Sequence, residues 1–488
     1  MLAAAGAFAQ AYAGPAPAPA ASPPAPPPAA TGPRLAISLP EAVFLALRDN
    51  RTIQSAYVER VAQKYDLFVA KTRFWPTATL AASVEATRQD HLAGSSFSLE
   101  PTATWLLPTG AQFQFAWSKL QIRGAGGTVH LDIASVTATQ PLLKGAGLAV
   151  NEAPIRIAEL GEKINQLDLA STVINTVTAV ILDYRALLDA QAELAIAQDS
   201  LARARSQLQT GQALVDAGRM AAADLLQTQA DIANEQVGLL SAQQGLRHAQ
   251  INLLQALAMD LHTNIVASDS LAAPHVDIDL DKAVAIALSN RPDYLSQERS
   301  LEQARQTLLV AKNNRLWSLN LVGSLERQTG GGPLAINPTT GLPIPGSGFS
   351  GTNSSIGLQL SIPLGDFTLQ QAEVQAATSV RTDELALADL RQEVEAEVRD
   401  AVEGVEASWA RLEAAHQARD LAARTLQTER QKMQVGRASN FEVLSFQAEL
   451  RAADTQALAA AIDYLDALTT LDQQVGTTLD TWKISLNP

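Results

Sequence analysis

Leu39-Pro40-Glu41-Ala42-Val43-Phe44-Leu45-Ala46-Leu47 is answered in the second half of the chain by Leu280-Asp281-Lys282-Ala283-Val284-Ala285-Ile286-Ala287-Leu288. Asn-Arg follows each run, as Asn50-Arg51 and Asn290-Arg291. Lys71 through Trp75 is then echoed by Lys312 through Trp317, and Gln140-Pro141-Leu142 by Ile362-Pro363-Leu364. Gly218-Arg219 with Asp224-Leu225-Leu226 is echoed by Gly436-Arg437 with Glu442-Val443-Leu444. Landmarks recurring in one order mark an internal two-fold repeat, the first thing to seek in a long chain.

Between the landmarks the hydrophobic period changes. Residues 39–71 and 280–311 read as amphipathic helices. After Trp75 and Trp317 the period falls to two, the mark of half-buried strands. Phe113, Phe115 and Trp117 alternate with Gln112, Gln114 and Ser118; Ile356, Leu358, Leu360 and Ile362 alternate with Ser355, Gly357, Gln359 and Ser361. Alternation predicts strands near 76–88, 96–106, 111–122 and 128–140 in the first half, and near 317–328 and 354–363 in the second. Gly/Pro-rich turns are expected at 107–110, 123–127 and 329–351.

The helical period then returns. Val173, Val177, Ile181, Tyr184 and Leu188 form one seam; Leu387, Leu390, Val394, Val398, Val402, Val405, Trp409 and Leu412 form another. From residue 148 to Gly218, and from 367 to Gly436, the chain predicts helices of roughly 100 Å at ~1.5 Å per residue. Gly218 and Gly436 fall where each long helix reverses into an antiparallel partner.

Bulk properties set limits. Net charge is -14 and the pI about 5.0, which argues against nucleic acid as a partner. The absence of cysteine excludes disulfides, thiolate metal sites and thiol nucleophiles. The histidines are scattered, and no P-loop or hydrolase motif occurs, so neither catalysis nor a cofactor is expected. Gly346-Ser347-Gly348-Phe349-Ser350-Gly351 matches a dinucleotide-binding pattern, but a Pro-rich segment precedes it and an alternating strand follows, so it reads as a loop. Residues 1–13 resemble the back half of a signal peptide, and 14–36 an Ala/Pro-rich linker. No later stretch supplies the ~18–20 uncharged apolar residues of a spanning helix, so a membrane would have to be crossed by a closed β-barrel. The remaining boundaries are 37–260 for the first repeat, 261–279 for a connector, 280–476 for the second repeat and 477–488 for a tail.

The paired Leu-x-x-Ala runs, strand-closing Pro-Leu steps and Gly-x5-acid turns resemble the TolC-type outer-membrane efflux proteins, from about Leu39 to Gly476. The resemblance implies a mostly α fold in a homotrimer. Long antiparallel coiled-coil helices would form a trimeric α-barrel across the periplasm, topped by a trimeric transmembrane β-barrel among outer-membrane lipid. It further implies a periplasmic adaptor and an inner-membrane pump of RND or ABC type as partners, and passive export of drugs, metals or secreted protein. Four strands per subunit are implied, whereas alternation gives six; either a hairpin stands outside the barrel or one pair is over-read.

Asp224 and Glu442 are aperture candidates, because carboxylates near the tip would form a ring in a trimer; the plainer reading is solvated helix acids. Gly218, Arg219, Gly436 and Arg437 are candidate adaptor-docking turns, with ordinary helix C-caps as the alternative. Trp75 and Trp317 are candidate membrane-interface aromatics, against plain core packing. The rival to a channel is a periplasmic coiled-coil adaptor or structural envelope protein, which leaves the duplicated strands without a purpose. A channel subunit is expected to fractionate with the outer membrane and to migrate differently on a gel before and after heating. A soluble monomer in the same assay would sink that reading.

Overall fold

The structure, a computed structural model, describes residues 34–486 apart from 90–91, 125–126, 273, 337–342 and 347. The leader-like segment 1–13 and nearly all of the linker lie outside the described residues. In chain order, β1 (Leu35–Ile37) precedes α1 (Leu39–Asp49) and α2 (Arg51–Lys71). A 3-10 turn then leads to β2 (Thr77–Gln89), β3 (Leu92–Leu106), β4 (Gln112–Gly124) and β5 (Gly127–Pro141). Next come α3 (Leu148–Asp216), α4 (Asp224–Ala256) and β6 (Ile265–Ala267). The second half holds α5 (Leu280–Asn290), α6 (Pro292–Asn314) and β7 (Ser318–Gly331), then a small hairpin of β8 (Pro333–Ile336) and β9 (Pro343–Pro345). It ends with β10 (Phe349–Ser361), α7 (Thr368–Gln434), α8 (Asn440–Val475) and the single turn α9 (Thr478–Thr481).

The helices expected across 39–71 and 280–311 are each broken in two. Asn50 adopts an extended backbone, and its side chain accepts from Thr52 N at 2.8 Å and Ile53 N at 3.3 Å, starting α2 afresh. Its Nδ2 donates to the Ala256 carbonyl at 2.7 Å, which fastens the bend to the end of α4. In the second half Pro292 opens α6 as its first residue, where a missing N–H costs nothing. The Asn-Arg landmarks are therefore bends.

The long helices α3 and α7 have 69 and 67 residues, while α4 and α8 have 33 and 36. Each long helix thus outruns its antiparallel neighbour, and the surplus packs against α2 and α6. The seam read from sequence is buried: Val173, Val177, Ile181, Tyr184 and Leu188 on α3, with Val394, Val398, Val402, Val405 and Leu412 on α7. Each fully buried Val or Leu stabilises by about 1.5–3 kcal/mol relative to exposure. Alanines let the second pair approach closely, with Ala415 set against Ala457, Ala460 and Ala461. One stretch of α3 has the length and composition to cross a membrane, but its valines and Ile181 are packed against α1, α2 and neighbouring segments.

The six long strands form one antiparallel sheet in the order β10-β7-β5-β4-β3-β2. All four strands expected in the first half are present, so no pair was over-read. The extra hairpin is part of the sheet. Following the register sideways, Thr77, Thr104, Gln114, Thr137, Ser324 and Ser355 make one lateral row through all six strands. The next row, on the opposite face, is Ala78, Ala103, Phe115, Val136, Leu325 and Ser354. Hydroxyl pairs stitch the polar face: Thr79 with Thr102 at 2.6 Å, Ser83 with Ser98 at 2.7 Å and Ser324 with Ser355 at 2.7 Å. Leu80, Val84, Ile356 and Leu358 stand exposed on the apolar face.

The stretch expected as a turn at 329–351 is strand at both ends. Gly330 pairs with Phe349, and a Cβ on Gly330 would lie 2.6 Å from the Phe349 ring. Glycine there makes room for a ring across the ladder, so its presence did not signal a turn. Phe349 to Gly351 of the glycine motif accordingly belong to β10, with no helix after them.

Beneath the sheet, the β3–β4 turn docks on the segment leading into α3. Gly147 N donates to Thr109 O at 3.2 Å, and Asn151 Nδ2 donates to the carbonyls of Gly145 at 2.9 Å and Gly147 at 2.8 Å. Gly110 sits at φ +92, and a Cβ there would lie 2.2 Å from the Gly145 carbonyl oxygen. Gly110→Ala is expected to cost roughly 1–3 kcal/mol in backbone strain and displaced contacts. It should lower the apparent melting temperature, whereas Gly124→Ala, with nothing within 4 Å, should leave it unmoved.

Candidate functional site

The helical hairpins turn at Gly218 and Gly436, and both turns are built alike. Gly218 adopts φ +66; its N–H donates to Val215 O at 2.9 Å and that of Arg219 to Leu214 O at 2.8 Å. Gly436 adopts φ +74; its N–H donates to Met433 O at 3.0 Å and that of Arg437 to Lys432 O at 2.8 Å. These paired bonds are the Schellman closure that satisfies the last carbonyls of α3 and α7. The ordinary C-cap role is thus present at both turns. Arg219 does more: its Nη2 donates to Gln434 O at 3.2 Å, holding the first turn against the second hairpin.

The two acids, matched in sequence, differ in their surroundings. Glu442 closes a capping box, its Oε2 accepting from Ser439 N at 2.7 Å and Ser439 Oγ at 3.0 Å. Those bonds hold its carboxyl below the usual range. Asp224 opens α4 after Ala223, which offers no side-chain cap, and Ala221 stands where Ser439 stands in the second copy. Both acids are exposed. Each also lies in the first turn of its helix, where the positive end of the dipole favours a carboxylate.

Between the turns lies a buried polar knot that sequence reasoning missed. Asn440 Oδ1 accepts from Gln207 Nε2 at 2.9 Å, and Asn440 Nδ2 donates to Thr228 Oγ1 at 3.0 Å and Asp224 O at 3.3 Å. Gln207 Nε2 also lies 3.3 Å from Met433 Sδ. Asn440 therefore joins α8 to α3 and α4 at their tips, and Gln207 extends the knot to α7 through Met433, with Thr228 at 0% exposure, Gln207 at 5% and Asn440 at 7%. A signal existed, since a lone polar residue in an apolar helical seam fixes register between helices. Above the knot, Arg451 Nη1 donates to Glu235 Oε1 at 2.9 Å, again from α8 to α4. Higher on α3, burial pushes Asp189 up to about 6, helped by the carboxylates of Glu193, Asp466 and Asp463.

At the other end of the helices, Trp75 lies two residues before β2 and Trp317 directly precedes β7, and both are more than half exposed. Phe68 meets Trp75 edge-on with ring centres 6.1 Å apart. Trp105 Nε1 donates to Phe74 O at 3.0 Å, which ties a second indole to the segment carrying Trp75. Their exposure shows that Trp75 and Trp317 do not fill a core within the subunit.

The sequence model of the outer membrane efflux protein family matches residues 43–259 and 283–477. The chain belongs to that family. It is an outer-membrane channel subunit, with its helical part in the periplasm. The outer membrane efflux fold extends over 90% of the chain in each of three solved structures. The Campylobacter jejuni CmeC outer membrane channel aligns at TM-score 0.67 and 14% identity over 86% of its own chain. The open state of the Neisseria gonorrhoeae MtrE outer membrane channel aligns at 0.67 and 16% over 89% of its chain. The outer membrane protein VceC of Vibrio cholerae aligns at 0.66 and 15% over 96% of its chain. At such identities the likeness shows the fold. No curated protein matches the sequence significantly.

Replacing Asn440 by Ala removes the only bridge described between Gln207 and Thr228. Buried groups left without partners cost about 1–3 kcal/mol each. Asn440→Ala is expected to speed proteolytic cutting at the Gly218 and Gly436 turns several-fold, while Asn440→Asp, which keeps an acceptor, should fall between. Cutting at an unchanged rate would remove the knot from any role in holding the tip.

Proposed function

We propose that three copies assemble into one duct: the sheets close a transmembrane β-barrel, and the helical hairpins line an α-barrel reaching into the periplasm. The observation that carries this reading is the six-stranded sheet, polar on one face and apolar on the other, standing on helices of roughly 100 Å. The duct is passive. Energy comes from an inner-membrane pump of RND or ABC type, joined through a periplasmic adaptor, and the cargo is small molecules such as drugs and metals, or secreted protein. Trp75 and Trp317 sit at the periplasmic interface of the outer membrane, where indole rings favour the headgroup level. The family membership sets aside the adaptor or scaffold alternative.

Within the duct, residues 37–260 and 280–476 act as two copies of one unit, joined by 261–279 and followed by the 477–488 tail. The turns Gly218-Arg219 and Gly436-Arg437 are the adaptor-docking points, with their C-caps supplying a rigid shape to dock on. Asp224 and Glu442 lie one helical turn inside these tips, so three-fold repetition gathers six carboxylates around the aperture, a ring that favours cations.

Single-channel conductance tests the ring. Glu442→Gln preserves the capping box, because Gln also serves at that position, so the charge is removed with little structural change. Asp224→Asn combined with Glu442→Gln is expected to lower cation over anion selectivity measurably in bilayers. Unchanged selectivity would leave both acids as helix-cap and surface groups only.

A further inference from the structure

The six-stranded sheet has two free edges, β2 and β10, and among the described residues no strand or helix covers either. A strand edge facing solvent is normally guarded by prolines, lysines or bulges, because its open N–H and C=O groups recruit other strands. β10 contains no charge and no proline across its 13 residues, and β2 has only Glu85 and Arg88. The edges are also equal in length, at 13 residues each. That exceeds the ~9–11 residues a tilted strand needs to cross a bilayer. Within lipid an open edge is not tolerated, since every unpaired backbone group there costs several kcal/mol.

We propose that β10 of one subunit pairs with β2 of the next, so that the extra first-half hairpin is part of the wall and the trimer closes an eighteen-stranded barrel. The number eighteen rests on the homotrimer put forward above; the pairing of edges rests on the sheet itself. Direction selects the partner. β2 runs away from its helix junction and β10 runs back towards one, so the edges are antiparallel to one another. Among copies inserted the same way up, β10 against β10 or β2 against β2 would be parallel. Only β10 against β2 continues the all-antiparallel pattern.

Polarity places the hairpin in the wall too. Thr77 and Thr104 continue the polar row of Gln114, Thr137, Ser324 and Ser355, while Ala78 and Ala103 continue the apolar row of Phe115, Val136 and Leu325. A hairpin standing outside a barrel closed on β4 would expose this polar row, with its Thr79–Thr102 and Ser83–Ser98 pairs, to lipid or water. The ladder between β3 and β4 skips Glu100 and Pro101, as proline has no N–H, yet resumes at Thr102 and Ala116 without a slip of register. The turn beneath, with Gly110 locked against Gly145, seats the added strands on the helix junction. A barrel of 16–18 strands leaves an aqueous channel, so the outer-membrane section would be a wide one.

Disulfide trapping tests the edge pairing, and the chain's lack of cysteine gives a clean background. Thr79→Cys or Ser83→Cys on β2 would be combined, in the full-length protein, with Asn353→Cys, Ser355→Cys, Gly357→Cys or Gln359→Cys on β10. Ser324→Cys with Ser355→Cys serves as the within-subunit control, their native hydroxyls being 2.7 Å apart. At least one β2–β10 combination is expected to shift the non-reduced band to dimer and trimer mass, reversibly with reductant. Native mass spectrometry of the same samples reads the stoichiometry independently. A trimer that forms no β2–β10 link, or that links β10 through Ser118→Cys on β4, overturns the eighteen-stranded wall while leaving the homotrimer intact. Loss of trimer mass in the unsubstituted protein overturns the homotrimer, and with it the count.

Discussion

In the proposed duct, backbone hydrogen bonding without water governs the sheet end of this molecule. Each strand carries a full set of donors and acceptors, and where lipid replaces water they must find partners within the protein. The sheet supplies those partners for four of its six strands on both sides, and for β2 and β10 on one side only. The sparse guarding residues on those edges, the two-faced polarity and the antiparallel sense all fit the proposed closure. The helices inherit their arrangement from this end, because α3 and α7 begin where β5 and β10 leave the sheet.

The lower half depends on a different balance. Apolar seams hold the long helices together, but Val-, Leu- and Ala-lined interfaces tolerate sliding by a turn. The Asn440 knot opposes it, since a displaced hairpin would leave Gln207 and Thr228 buried and unpaired. The acids at the tip divide similarly: Glu442 serves its own helix through Ser439, while Asp224 is free of such a duty because alanine replaces the capping serine. Two residues equivalent in the repeat are thus unequal in the fold, and in the proposed ring Asp224 offers the less encumbered charge.

The Asn-Arg landmarks show how far a pattern can be read. They were evident as repeated letters, and the amphipathic period ran through them without interruption. The first bend is fastened through Asn50 to the Ala256 carbonyl more than two hundred positions away, which no local pattern contains. Gly330 teaches the same point in the sheet: a glycine read as a turn proves to be a gap shaped for Phe349.

The sequence by itself determined the long helices and the six long strands with their order in both halves, the seams of the long helices and the two turning points. All of these rest on periodicity and on residues whose conformational limits act locally, such as glycine at the turns. Only the tertiary structure decided that the six strands share one sheet, which of them are edges, how the helices bend, and which buried polar groups meet. Those outcomes depend on contacts between segments far apart in the chain, where burial and unsatisfied hydrogen bonds select among arrangements that periodicity alone leaves equal.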